Sequence, residues 1–142
     1  MKLAYIYNSD DLHKLYVFDE FIDKVLAMPI IIKHSDLKYS KNLSQKELES
    51  GDYEIGVTLY FQDLSIEISM YISQQEEPDF VYNYVIKYKL NDGTERQSRD
   101  YSHYFNTYKK QLMASLNMVR CNEDITDELR KTIKIIYNTL EE

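Results

Sequence analysis

Tyr53-Glu54-Ile55-Gly56-Val57-Thr58-Leu59-Tyr60-Phe61-Gln62-Asp63-Leu64-Ser65-Ile66-Glu67-Ile68-Ser69-Met70-Tyr71-Ile72-Ser73 holds two runs of alternation on either side of one aspartate. In the first, Tyr53, Ile55, Val57, Leu59 and Phe61 alternate with Glu54, Gly56, Thr58, Tyr60 and Gln62. In the second, Leu64, Ile66, Ile68, Met70 and Ile72 alternate with Ser65, Glu67, Ser69, Tyr71 and Ser73. Successive side chains of a strand point to opposite faces, so a period of two marks a sheet with one face buried and the other outside. Two half-buried antiparallel strands joined by a tight turn at Asp63 follow.

Downstream, the loop from Gln74 to Asp79 leads to a third alternating run. Phe80, Tyr82, Tyr84, Ile86, Tyr88 and Leu90 share one face, and Val81, Asn83, Val85, Lys87 and Lys89 the other. Asn91-Asp92-Gly93 is a hairpin signal, because these residues tolerate positive φ. The fourth strand, Thr94 to about Arg99, is almost wholly polar and belongs at a sheet edge. From Ser102 the period changes to three and four. Phe105, Tyr108, Leu112, Ser115, Leu116 and Val119 predict a long helix ending near Cys121-Asn122, and Ile125, Leu129, Ile133, Ile136 and Leu140 a last one.

Upstream, Ser9 is placed to cap a helix with Leu12, Leu15, Phe18, Ile22, Val25 and Leu26 inward and Asp11, Lys14, Glu20, Asp23 and Lys24 elsewhere. Pro29 stops it near Met28. Ile30 to Lys33 reads as a short strand, the stretch with Lys38, Lys41 and Asn42 as loop, and Ser44-Gln45-Lys46-Glu47 as the capping box of a short helix before Gly51. The fold class is α+β: an antiparallel β-meander of three to five strands, an N-terminal helix before it and two C-terminal helices packed on one sheet face. With 142 residues, three glycines, two prolines and no linker-like stretch, residues 1–142 read as a single domain.

The chain is 44% hydrophobic and 29% charged, far from the composition of disorder, and its apolar runs are much shorter than the roughly 20 residues of a membrane span. The N-terminus lacks the pattern of a signal peptide, and a lone cysteine is usual in a reducing compartment, so a cytoplasmic protein is expected.

His13, His34 and His103 stand apart, with no H-x-x-H, H-E-x-x-H or cysteine pair, so no metal or other cofactor is expected. A glycine-rich phosphate loop cannot hide among three glycines. Glu54 and Glu67 lie on facing strands, yet on the outer face, where neither is shielded enough to raise its pKa for acid/base work. Ser102-His103 at the predicted helix start is read as capping, and Cys121 as a buried or helix-end thiol. No catalytic residue is assigned and the chain is read as a non-enzyme. The enzyme alternative would assemble a site from the dispersed residues His103, Tyr104 and Cys121.

Charge is the informative anomaly. The chain carries net charge −7, and residues 45–82 hold nine acidic side chains against Lys46 alone. Residues 83–120 hold seven basic against three acidic. This balance argues against direct nucleic-acid binding and favours a basic protein partner, since complementary potential speeds encounter. A small acidic domain with 14 tyrosines and no catalytic motif resembles, in general character, inhibitor proteins that neutralise nucleases, such as toxin immunity proteins and phage inhibitors of bacterial defence. The resemblance implies a partner that is a nuclease or nucleic-acid enzyme, occluded by an acidic face. The partner-binding residues would be Glu54, Asp63, Glu67, Glu76, Glu77 and Asp79, with Tyr60 and Tyr71 as anchors. The plain alternative is that this face is merely solvated, and a third reading is an oligomeric scaffold or adaptor pairing through sheet edges or the last helix.

Overall fold

The computed structural model describes residues 9–28, 35–37, 53–73 and 79–141. In chain order these form helix α1 (Ser9–Leu26), strands β1 (Ser35–Leu37), β2 (Tyr53–Phe61), β3 (Leu64–Ser73), β4 (Asp79–Lys89) and β5 (Glu95–Ser102), and helices α2 (Phe105–Arg120) and α3 (Asp127–Glu141). The strands make one antiparallel sheet in the order β1-β2-β3-β4-β5, the meander read from the sequence. Its registers place Val57, Ile68 and Tyr84 in one row, and Thr58, Glu67, Val85 and Arg99 in the next.

The alternation decides which face is inside. Ile55, Val57 and Leu59, all five apolar residues of β3, and Phe80, Tyr82, Tyr84 and Ile86 are buried in one core with the helices. Phe18 of α1 meets Tyr82 at 5.8 Å between ring centroids, and Phe21 meets Phe105 of α2 edge-on at 5.3 Å. The inner tyrosines belong to this core, and Tyr84 and Tyr108 have their polar ends satisfied. Tyr108 Oη donates to Asn83 O at 2.9 Å, and Tyr84 Oη lies 2.6 Å from Ser115 Oγ. Burial pushes the Tyr82 phenol up to about 12. Both C-terminal helices bury the stripes expected of them: Tyr108, Leu112, Leu116 and Val119 on α2, and Leu129, Ile133, Ile136 and Leu140 on α3.

Both hairpin turns use their predicted residues. Asp63 takes φ 62°, and Gly93 takes φ 87° beside Asp92, whose carboxylate accepts the Thr94 amide at 2.8 Å. Hydrogen bonding by the Thr94 side chain, and next by that amide, holds the Asp92 carboxyl below its usual range.

Four local expectations need correction. The buried stripe of α1 is rotated toward Phe21, so Leu12 is exposed while Asp11 is buried and partnered. Sampling the helix every 100°, Asp11, Leu15, Phe18 and Ile22 share the side that a large aromatic at position 21 draws inward, and Leu12 falls off it. β5 runs on to Ser102, past Arg99, because its pairing with β4 continues to Tyr82. Ser102 is therefore the end of a strand rather than a helix cap, though its hydroxyl accepts the Tyr104 amide at 3.1 Å just before α2. The stretch read as loop contains β1, paired through Ser35–Leu37 with β2. The Ile30–Lys33 strand and the Ser44–Glu47 capping box lie outside the described residues. No described helix is long and apolar enough to cross a membrane.

Between α2 and α3, Arg130 closes the chain on itself. Its Nε donates to Arg120 O at 3.0 Å, one terminal nitrogen to Asn122 O at 2.9 Å, and the other to Asp127 at 2.6 Å. The guanidinium thus satisfies carbonyls that the end of α2 leaves without helical partners. Arg130→Ala should lower unfolding stability by about 1.5–3 kcal/mol, and Arg130→Lys should restore little, since an ammonium cannot match the fork. Denaturation midpoints for both variants check this, and an alanine variant as stable as the parent would contradict it.

Candidate functional site

The described helices lie on the core face of the sheet, and the opposite face carries the side chains of the other parity. The row Glu54–Tyr71–Val81 is followed by Gly56–Ser69–Asn83–Tyr101 and then Thr58–Glu67–Val85–Arg99. Between them lies a trough of about 570 Å³ lined by Glu54, Glu67, Ser69, Tyr71, Asn83, Tyr84, Val85, Arg99, Asp100 and Tyr101. Its aromatic rims are open, with Tyr71 38% and Tyr101 59% exposed. A trough of this size, part polar and part aromatic, suits an inserted side chain or small group.

The strand pairing explains why these residues meet. Glu54 faces Tyr71 directly across the β2–β3 ladder, and Glu67 sits one strand further in, opposite Thr58 and Val85. At about 4.8 Å per strand, Arg99 stands roughly 10 Å across the sheet from Glu67. The trough is acidic at its β2–β3 side, and its β5 side carries both Arg99 and Asp100.

Of the residues singled out from sequence, the trough gathers Glu54, Glu67 and Tyr71. Tyr60 and Asp63 lie elsewhere, in a hollow of about 210 Å³ shared with Lys87, Lys89 and Glu95 at the other end of the strands. Asp63 is nine residues along β2 from Glu54, about 30 Å in an extended strand. Asp79 opens β4 and is engaged with His103, Nδ1 to Oδ1 at 3.1 Å. Glu76 and Glu77 lie outside the described residues. The acidic stretch of sequence therefore does not fold into one acidic patch among the described residues.

Ser69, Asn83, Tyr84, Val85, Arg99, Asp100 and Tyr101 complete the trough, and none of them was among the site residues expected from sequence. Their signal was the parity of β5: once its pairing with β4 is extended two residues past Arg99, Tyr101 falls opposite Asn83 and Arg99 opposite Val85.

The residues of the enzyme alternative are divided. Cys121 is exposed at the C-terminal end of α2, and His103 and Tyr104 precede its N-terminus. A helix of 16 residues holds them about 24 Å apart. No protein-family model, curated protein or solved structure matches the chain.

Proposed function

We propose that this protein is a binding protein that docks a basic protein partner on the outer face of its sheet, with the Glu54, Glu67 and Tyr71 side of the trough receiving a cationic side chain. What supports the reading is one observation: the carboxylates of Glu54, Glu67 and Asp100 and two exposed tyrosine rings border a single trough on the face that the described helices leave alone. A lysine or arginine entering there meets opposite charge and aromatic faces together. A nuclease or nucleic-acid enzyme is the partner class of choice, because such a protein must present positive charge to its own substrate, and occlusion of that surface would inhibit it. Tyr60, 41% exposed at the far end of the face, would extend the contact.

The test begins with affinity capture of the partner and ends with a titration. Glu54→Lys combined with Glu67→Lys should keep the fold and weaken binding by on the order of 2 kcal/mol or more, since wrong-sign charge adds repulsion to lost attraction. Added salt should slow association. Tyr71→Ala should act mainly through faster dissociation. Unchanged affinity in the folded double variant would move the functional surface away from this face.

A further inference from the structure

Three cavities contain carboxylates, as expected of an acidic protein: Glu54, Glu67 and Asp100 in the trough, Asp63 and Glu95 in the smaller hollow, and Asp63 and Glu128 beside α3. Another, about 300 Å³ between α1 and the start of α2, is lined by His13, Lys14 and His103 and by no carboxylate. Three basic side chains from two separate parts of the chain converge there, against the sign of the whole molecule.

Their settings fit a binding role. Asp79 sits at His103 Nδ1, and the edge-on ring of Tyr101 at 6.2 Å helps to orient the imidazole. Lys14 Nζ lies 5.1 Å from the centroid of the Phe80 ring and 4.0 Å from Asp10, whose side chain is far more exposed and so exerts a screened pull. Lys14 and His103 each have one carboxylate at hand, Asp10 and Asp79, and all four side chains are at least 43% exposed. The phenol of Tyr104, which also lines the cavity, belongs to a residue 73% exposed, so its ring is open to stack on a flat group. Phe105 and Asn106, in the first turn of α2, close the cavity, and that turn has no acidic residue.

We propose that this cavity binds a nucleoside monophosphate, its phosphate held by His13, Lys14 and His103 and its base stacked on Tyr104. A phosphate monoester brings about two negative charges and three strong acceptor oxygens, which suits donors arranged around one small space. The site is separate from the sheet-face trough, and each can fail without the other.

The test follows the imidazole NMR signals of His13 and His103 in the full-length protein at constant pH. Adenosine monophosphate, inorganic phosphate and sodium chloride at matched ionic strength are added in separate titrations. Both histidines should shift together and saturate with the monophosphate and with phosphate, the monophosphate binding more tightly. Chloride should give no saturable shift. His13→Gln with His103→Gln, verified as folded by its melt, should weaken monophosphate binding, measured by calorimetry, by about tenfold or more. Tyr104→Ala should reduce monophosphate affinity to that of phosphate.

No saturable shift, equal shifts with chloride, or undiminished binding in the double variant overturns the site. Equal affinity for the monophosphate and phosphate, or a monophosphate affinity untouched by Tyr104→Ala, overturns the nucleoside assignment.

Discussion

Ile68→Asp should leave the protein unfolded at room temperature, while Ser65→Asp should fold and melt close to the parent. Ile68 is 1% exposed on β3, a strand with neighbours on both sides, between Val57 and Tyr84 in the ladder. A carboxylate there has neither water nor a partner, and burying it costs several kcal/mol on top of the lost apolar contact. That is comparable to the whole stability of a typical small protein, about 5–15 kcal/mol. Ser65 is only half-buried and has the opposite parity, so an added carboxylate reaches solvent. Ser69 shares the parity of Ser65 but is only 4% exposed, so Ser69→Asp should fall between the two. Far-UV circular dichroism and thermal melts give the order directly. A cooperative melt of Ile68→Asp at the parent temperature would mean that the inner and outer faces are exchanged.

The second large effect is expected at Gly56. A Cβ built there would lie 2.6 Å from the carbonyl oxygen of Ile68, 2.7 Å from the Cβ of Ser69 and 2.9 Å from its Cα. Two of these three atoms are backbone and cannot swing aside, so Gly56→Ala requires β2 and β3 to move apart. The cost should be about 2–3 kcal/mol, read as a lowered denaturation midpoint. Gly93→Ala is the natural comparison. Its Cβ would meet nothing, and only the positive φ of 87° opposes the change, so its loss should be nearer 1 kcal/mol. Combining Gly56→Ala with Ser69→Gly removes the Cβ clash but leaves the carbonyl in the way, and should recover part of the loss. A Gly56→Ala protein as stable as the Gly93→Ala one would show that the close approach is relaxed at little cost.

Most of the fold was legible because it is written in periods. Strands β2, β3 and β4 bury one parity nearly without exception, and that is what alternation reports. The C-terminal helices likewise bury the stripes that spacing of three and four picked out. The failures occur where local pattern competes with packing. α1 offers two overlapping stripes, and only the presence of Tyr82, Phe105 and Tyr108 around Phe21 and Phe18 decides which one turns inward. β5 has no apolar alternation at all, so its length is set by the ladder with β4 and cannot be read from its own residues.

The candidate site was legible in half for a related reason. Glu54, Glu67 and Tyr71 could be placed from their own strands, but Arg99 and Tyr101 join them only through the register of a polar edge. Runs of acidic residues in sequence also say nothing of distance. Asp63 and Glu54 belong to one acidic stretch, yet a whole strand lies between them.

The order of the strands along the sheet is also their order along the chain, and this bears on how the molecule reaches its structure. Each strand from β2 to β5 pairs with the one before it, so every ladder can close as a hairpin between segments that are already neighbours. The entropy of loop closure is then spread over several short steps, and no strand must search the length of the chain for its partner. Helix α1 is the exception. Its aromatic contacts are with Tyr82, Phe105 and Tyr108, some 60 to 90 positions away, so the non-local part of the search is concentrated in the docking of one helix onto a sheet that local pairing can assemble without it.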